Sequence, residues 1–474
     1  MAELQQVAVD TLPTERFQEV LTPERYELFL QAAERARAIL AGRVVWNVNS
    51  TARGGGVAEM LQSLLAYARG AGVDARWAVI QGNPDFFRIT KRIHNHLHGA
   101  AGDAGELAEP ERRIYEAVAH SNTAALLEVV RPDDIVIIHD PQPGGLVPEL
   151  KRTGATIIWR CHVGLDFPNE LARSAWNFLI PYVSEAHAYV FSRKAFAWEG
   201  LDPARITIIP PSIDAFAPKN QDLETGAVEA ILCTTGLLQG DCDHPARFVR
   251  WDGREQIVDR PTELYDGGPP PPKDARLVVQ VSRWDRLKDP VGVIEGFARH
   301  IAASTDAHLV AAGPSVAAVA DDPEGKEVLE EALEAWRGLP DDVRPRVHLA
   351  CLPMDDTDEN AAIVNALQRY ATVVVQKSIA EGFGLTVAEA MWKARPVVAS
   401  RIGGIQDQMI DRETGLLIDD PTDLGKFGEA VLELLNDEAF AERLGRAAQE
   451  RVRDEFLGAR HLMQYVELIG GLIR

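Results

Sequence analysis

Apolar residues in this chain fall into short unbroken blocks separated by stretches with helical spacing, and the pattern runs twice. In the first half the blocks are Val44-Val45-Trp46-Asn47-Val48, Trp77-Ala78-Val79-Ile80, Ile135-Val136-Ile137-Ile138, Thr156-Ile157-Ile158-Trp159, Ala188-Tyr189-Val190-Phe191 and Ile206-Thr207-Ile208-Ile209. A block without polar alternation is buried on both faces, the mark of a parallel strand. Between the first two, Val57, Met60, Leu61, Leu64 and Leu65 keep the spacing of one helical face. In the second half the blocks are Leu277 to Val281, Leu309 to Ala312, Val347 to Leu349, Val373 to Val375 and Pro396 to Ala399. Strands alternating with helices predict a doubly wound parallel sheet, and two such sets predict two α/β domains.

The pattern also sets boundaries. Thr22-Pro23-Glu24-Arg25 opens a leading helix, with threonine as cap and proline at the first position. The first domain spans 1–215, and the stiff run from Pro210 to Asp214 leaves it. Residues 216–275 break the alternation with a hairpin signal at Asp252-Gly253 and a Gly-Gly-Pro-Pro-Pro-Pro spacer from Gly267. They read as an insertion at the domain junction. The second domain spans 276–455, and 456–474 is a final helix with Leu462, Tyr465, Val466 and Ile469 on its apolar face.

At 474 residues the chain exceeds one ordinary core. A formal charge of −22 disfavours nucleic acid and anionic membranes, both of which need clustered cations. Cys161, Cys233, Cys242 and Cys351 show no paired metal spacing and read as reduced thiols. The acidic N-terminus lacks a signal-peptide core, and no run reaches the length of a membrane span, so the expectation is a soluble cytoplasmic protein.

Candidate chemistry concentrates where strands end. After Val373-Val374-Val375 comes Lys377 to Glu389, a turn containing Gly382, Phe383 and Gly384 that leads into a helix through Leu385 and Thr386. A strand, a glycine turn and a helix start form an anion site, while the flanking Glu381 and Glu389 suit hydroxyl donors. Phosphate and hydroxyls together point to a sugar nucleotide. Arg283 and Lys288, in the loop after the Leu277 strand, supply a cationic clamp for a diphosphate. In the first half, Arg53-Gly54-Gly55-Gly56-Val57 follows a strand but departs from the dinucleotide fingerprint, with Glu59 at the third glycine position. Gly55 and Gly56 therefore read as a turn that lets backbone approach a ligand. His139-Asp140 and His162 end two consecutive strands, where open α/β sheets bind ligands. His94, His96 and His98 have no acidic or cysteine partner nearby and read as a polar helix face. Asp355-Asp356-Thr357-Asp358 reads as a solvated loop, not a metal-binding carboxylate pair.

These pieces resemble the retaining glycosyltransferases of the GT-B type, family 4. The matching residues are Gly55-Gly56-Val57, His162, Arg283 with Lys288, Glu381 through Glu389, Gly403-Gly404-Ile405 and Glu413-Thr414-Gly415. Within that family, Asn49-Ser50-Thr51, Phe86 to Lys91 with His94-Asn95, His139 to Pro143, Trp159 to His162 and Glu389 to Lys393 resemble the trehalose glycosyltransferring synthases. Trehalose phosphorylases share much of the pattern. The resemblance implies two Rossmann-like domains facing across a cleft, and transfer of glucose from a nucleoside diphosphate glucose to free glucose, reversible in principle. It implies His162, Arg283, Lys288 and Glu381 in catalysis. Gly55, Gly56, Gly382, Phe383, Gly384, Leu385, Thr386 and Glu389 would hold the donor, with His139 and Asp140 on the acceptor. No metal site and no tightly bound cofactor are implied; stimulation by Mg2+ and a homodimer are compatible with it. Three readings compete: a phosphorylase using phosphate, a transferase with another acceptor, and a sugar-nucleotide-binding regulator without activity.

Overall fold

The computed structural model describes residues 4–52, 55–265, 267–316 and 323–473. Two compact units emerge: one takes the chain as far as Ser212 and resumes at Phe456, the other is Ile213–Glu455.

The first unit is built on β1 (Gln5–Val7), β2 (Val44–Asn49), β3 (Asp74–Val79), β4 (Ile135–His139), β5 (Thr156–Cys161), β6 (Ala188–Phe191) and β7 (Ile206–Ile208). Their order is β1-β3-β2-β4-β5-β6-β7, parallel throughout except for the antiparallel edge pair of β1 with β3. β1 was not legible beforehand. Gln5-Gln6-Val7 has neither an apolar block nor alternation, and it forms by docking on the open edge of β3. Every residue of β2 and β4 is buried, the polar Asn47, Asn49 and His139 along with the apolar majority. The helix Pro23–Ile39 is capped by Thr22 Oγ1, which accepts from Arg25 N at 3.4 Å. It packs beside the final helix, Gly458–Leu472, where Ala36, Leu40, Val45, Ile137 and Ile469 share one apolar cluster.

Asp134 pins the centre of this sheet. Its buried carboxylate accepts from Val44 N at 2.8 Å, Arg131 N at 2.9 Å and Trp46 Nε1 at 3.3 Å, fixing the start of β2 against the turn before β4. Burial alone would push this carboxyl up; the amides of Val44 and Arg131, together with the Arg131 and Trp46 side chains, outweigh it and hold it below its ordinary value. Asp134→Ala orphans the buried Val44 amide and Trp46 indole and is expected to cost about 2–4 kcal/mol in urea unfolding. A loss below about 0.5 kcal/mol contradicts the pinning role.

The second unit carries β8 (Arg247–Val249) and β9 (Glu255–Ile257), which pair as a small antiparallel hairpin. Its main sheet comprises β10 (Glu263–Leu264), β11 (Leu277–Val281), β12 (His308–Pro314), β13 (Val347–Leu352), β14 (Val373–Gln376), β15 (Val397–Ser400) and β16 (Leu416–Ile418). The order is β10-β13-β12-β11-β14-β15-β16, with β10 the antiparallel edge. Residues 216–275 thus add structure to this unit: the helix Thr225–Thr234, the hairpin and the edge strand. Arg250 pairs with Asp356 at 2.6 Å, and Arg260 pairs with the buried Glu359, tying the segment to the helix Thr357–Tyr370. The acidic run at Asp355–Asp358 is therefore an anchor for the hairpin. Among the described residues, no helix is long and apolar enough to cross a membrane.

Candidate functional site

In the second sheet, β11 neighbours both β12 and β14, so connections leave β11 and β14 in opposite directions. This is the switch point of a doubly wound sheet, and ligands of open α/β sheets bind in the crevice outside the C-terminal ends of the strands there. The loop after β11 carries Arg283 and Lys288; the loop after β14 carries Lys377 to Gly384. They are stitched together. Ile379 N donates to Leu287 O at 2.8 Å, and Lys288 Nζ meets Glu381 Oε2 at 2.5 Å, with Ser378 Oγ at 3.4 Å from the same oxygen. Behind them Asp289 sits at φ 51°, caps the helix Pro290–Gly296 through Gly292 N at 3.0 Å, and pairs with the fully buried Lys377. Lys377 also donates to Pro421 O at 2.7 Å. Arg283 stands apart, largely exposed and paired with Asp285 at 2.7 Å.

The glycines set the backbone of this crevice. Gly384, at φ 83°, caps the helix Leu385–Trp392 in a left-handed conformation that a Cβ would strain. Gly403, at φ 46°, lies so close that an added Cβ would stand 1.8 Å from the Glu381 carbonyl oxygen. Gly404 N donates to Gly382 O at 2.9 Å, and Gln408 Nε2 donates to the Phe383 carbonyl. These contacts bury Phe383 and leave the amides at Leu385 and Thr386 at a helix N-terminus, where they lack intrahelical acceptors.

One helical turn further, Glu389 is buried, with Oε1 3.7 Å from Lys219 Nζ and Oε2 without a hydrogen-bond partner. A buried carboxylate oxygen in that state is suited to a hydroxyl donor from a ligand. Lys393 Nζ bridges Glu389 O and Asn220 Oδ1, each at 3.1 Å. Burial pushes the Lys393 ammonium down to about 7, against the raising influence of Glu389.

The first sheet repeats the arrangement. β2 neighbours both β3 and β4, and the ends of β2, β4 and β5 lie side by side. Gly55, at φ 81°, caps the helix Gly56–Gly70, and both glycines are exposed; Arg53 and Gly54 lie outside the described residues. His139 and His162 stack 5.4 Å apart, with His139 Nδ1 3.1 Å from His162 Nε2 and His139 Nε2 2.9 Å from the Asn47 side chain. Arg160 Nε donates to that same His162 Nε2 at 3.0 Å. The shared nitrogen is then a lone pair, so His139 Nδ1 carries its proton toward it. His139 Nε2 is left as an acceptor, a fit for the otherwise unpartnered Asn47 Nδ2 once the amide is turned. Arg160, fully buried, also holds Ile209 O at 3.0 Å and Tyr465 OH at 3.3 Å. His461 Nδ1 lies 3.0 Å from Ser212 Oγ. Asp140, at φ 67°, accepts His162 N at 2.7 Å.

Burial first, and the Arg160 guanidinium second, hold His139 down to about 3 and His162 and His461 well below 6.5. Rings neutral in the fold but titrating near 6.5 when unfolded contribute stability above that pH and lose it as pH falls toward 3. Asp140, pushed up to about 6 by burial, acts oppositely, losing stability as pH rises through about 6. Three rings against one carboxyl give a net loss on acidification. The urea midpoint is expected to fall between pH 7.5 and 5, less steeply in His139→Gln; a midpoint independent of pH contradicts the neutral cluster.

The structure thus brings Lys288 to Glu381, and His139 and Asp140 to His162. It leaves Arg283 apart from Lys288, and it engages both ring nitrogens of His139 with protein partners. Sequence reasoning assigned no site role to Lys377, Asp289, Lys219, Asn220, Gln408, Asn47, Arg160, Tyr465 and His461. Only Asp289, before Pro290, carried a local signal, that of a helix start; the others meet through folding. Among the described residues no group of three or more His, Cys, Asp or Glu is placed to hold a metal ion.

Comparison with known proteins follows the two units. The family described as "Trehalose synthase, N-terminal domain" matches residues 47–198, and "Glycosyl transferases group 1" matches residues 263–451. A trehalose synthase of Rubrobacter xylanophilus is 36% identical over 95% of each chain, and one of Pyrococcus horikoshii is 32% identical over 100% of this chain and 99% of that one. A trehalose phosphorylase of Grifola frondosa is 26% identical over 86% of this chain but 54% of its own length. Among solved structures, one described as trehalose-6-phosphate from E. coli bound with UDP-2-fluoro glucose aligns with a TM-score of 0.66 at 15% identity, covering 91% of this chain and 99% of that one. At that identity it carries the fold alone: two Rossmann-like sheets of the GT-B kind.

Proposed function

The chain belongs to the trehalose synthase family of glycosyltransferases, and from that membership we propose that it makes trehalose from a nucleoside diphosphate glucose and free glucose with retention at the donor carbon. The observation that carries the donor half is the crevice after β11 and β14. It combines a sheltered ammonium, Lys288, a helix N-terminus at Leu385-Thr386, and two carboxylates, Glu381 and Glu389, one with an unpartnered buried oxygen.

That set matches a ligand with a diphosphate between two hydroxylated rings. Lys288 and the helix dipole neutralise charge that grows on the leaving diphosphate, with Arg283 swinging in as a second cation. Glu381 takes donor sugar hydroxyls and Glu389 the ribose. Gly55 and Gly56 admit phosphate from their own helix start. In the first sheet, His162 approaches the donor sugar near its reacting carbon, Asp140 takes the acceptor glucose, and His139 contributes by fixing the His162 ring. Retention follows same-face attack, in which the departing phosphate accepts the acceptor's proton; this scheme needs no carboxylate beneath the anomeric carbon, unlike a covalent glycosyl-enzyme. The scheme draws on no resident metal or cofactor; Mg2+ would stimulate it by accompanying the diphosphate of the substrate.

The phosphorylase reading is the runner-up, favoured only by more distant relatives. Run in reverse, the two part cleanly. Trehalose supplied with a nucleoside diphosphate is expected to yield the nucleoside diphosphate glucose and free glucose. Breakdown with inorganic phosphate alone, releasing glucose 1-phosphate, overturns the proposal.

A further inference from the structure

Cys233 and Cys242 stand nine positions apart in sequence, with their sulfurs 2.7 Å apart. The backbone that brings them together does not depend on sulfur. Cys233 lies in the last turn of the helix Thr225–Thr234. Gly236, at φ 76°, then reverses the chain, and the amides of Leu237 and Leu238 both return to Leu232 O, at 2.8 and 3.1 Å. Gln239 N donates to Pro271 O at 2.9 Å, and Lys273 Nζ donates to Asp241 O at 2.5 Å, so the spacer from Pro270 to Lys273 holds the returning segment. Cys242 is delivered against the helix end by these contacts.

Neither thiol has a role in the crevices described above, and a thiol–thiol hydrogen bond is weak. Both are only partly buried, whereas Cys161 and Cys351 are buried. The Lys273 ammonium, held on the carbonyl of the neighbouring Asp241, brings a positive charge to the Cys242 side of the pair, where it stabilises negative charge during attack. Burial and the neighbouring sulfur hold the Cys233 thiol up at about 12, which casts it as the second partner to react.

We propose that Cys233 and Cys242 are an oxidative modification site, a dithiol that closes to a reversible intrachain disulfide with a peroxide as oxidant. Cys242 releases its proton and the thiolate attacks one peroxide oxygen: an S–O bond forms, the O–O bond breaks, and the departing hydroxide takes up that proton, giving a sulfenic acid and one water. The Cys233 sulfur then attacks the Cys242 sulfur. The S–S bond forms, the S–O bond breaks, and the hydroxide leaves with the Cys233 proton as a second water. Two thiols lose two electrons and the peroxide accepts them; dithiothreitol reverses the change by exchange.

The consequence reaches beyond the loop. The helix Thr225–Thr234 packs on Thr357–Tyr370, whose Asn365 and Arg369 both hold Gln221 O at 2.9 Å. Linking the helix end to Cys242 closes a short loop in the unfolded chain and is expected to raise the melting midpoint by about 3–8 °C.

The full chain, reduced and then treated with hydrogen peroxide, tests this by non-reducing peptide mapping and thermal melting. The expected result is a Cys233–Cys242 linked peptide two hydrogens lighter, the rise in midpoint, and reversal of both by dithiothreitol. Cys233→Ser is expected to abolish the link and leave Cys242 trappable as a sulfenic acid by dimedone; Cys242→Ser serves should that variant fail to fold. Thiols that stay unlinked under peroxide while the buried pair also survives, or a link to Cys161 or Cys351 instead, overturn the proposal.

Discussion

Replacing Lys288 by alanine is expected to lower turnover about 10²- to 10³-fold while moving the melting midpoint by only a few degrees. The reason lies in what Lys288 does with and without substrate. In the structure its ammonium is engaged by Glu381 at 2.5 Å, with both side chains largely sheltered from water. Such a pair contributes modestly to stability, because desolvation offsets most of the attraction. In the proposed reaction the same ammonium would face the diphosphate, where charge grows as the glycosidic bond breaks, and an interaction that strengthens in the transition state acts on kcat. Lys288→Arg keeps the charge but widens the head group, and an intermediate rate is expected. If turnover of the alanine variant stays near that of the parent while stability drops sharply, Lys288 is a structural ion-pair partner and no more.

Gly403→Ala is expected to cost about 3 kcal/mol or more in urea unfolding and to abolish measurable nucleotide binding. A φ of 46° already strains any side chain, and the new Cβ would meet the Glu381 carbonyl oxygen at 1.8 Å, with the Gly382 carbonyl oxygen at 3.2 Å behind it. Backbone oxygens cannot rotate aside as a side chain does, so the Glu381 loop itself must move and carry its carboxylate off Lys288. Gly471→Ala is the control: nothing lies within 4 Å of its added Cβ, and alanine suits a helix, so stability within about 1 kcal/mol of the parent is expected. Calorimetric titration with a nucleoside diphosphate separates the two variants; equal binding by both removes the argument for close backbone packing.

The buried strands were legible because parallel sheets write themselves as apolar runs, as in Ile135 to Ile138, and the glycine turns were legible because positive φ selects glycine. The pairing of Lys288 with Glu381 was suggested only as two motifs in one neighbourhood. What the sequence withheld are contacts across large separations. Lys377 reaches Asp289 and Pro421, and Arg160 reaches Tyr465, through folding and not through spacing. Edge strands such as Gln5–Val7 and Glu263–Leu264 were hidden for a related reason: their hydrogen bonds come from the sheet they join, and their own residues carry no period. Conversely, Arg283 looked equivalent to Lys288 in sequence, yet it lies on the open side of its loop, held by Asp285.

The central claim, a donor nucleotide held after β11 and β14 and glucose as acceptor, is tested most directly by identifying the product. A panel of nucleoside diphosphate glucoses incubated with free glucose is predicted to give α,α-trehalose and a stoichiometric nucleoside diphosphate with at least one base. No disaccharide from any member of the panel, alongside phosphate-dependent breakdown of trehalose, would contradict it.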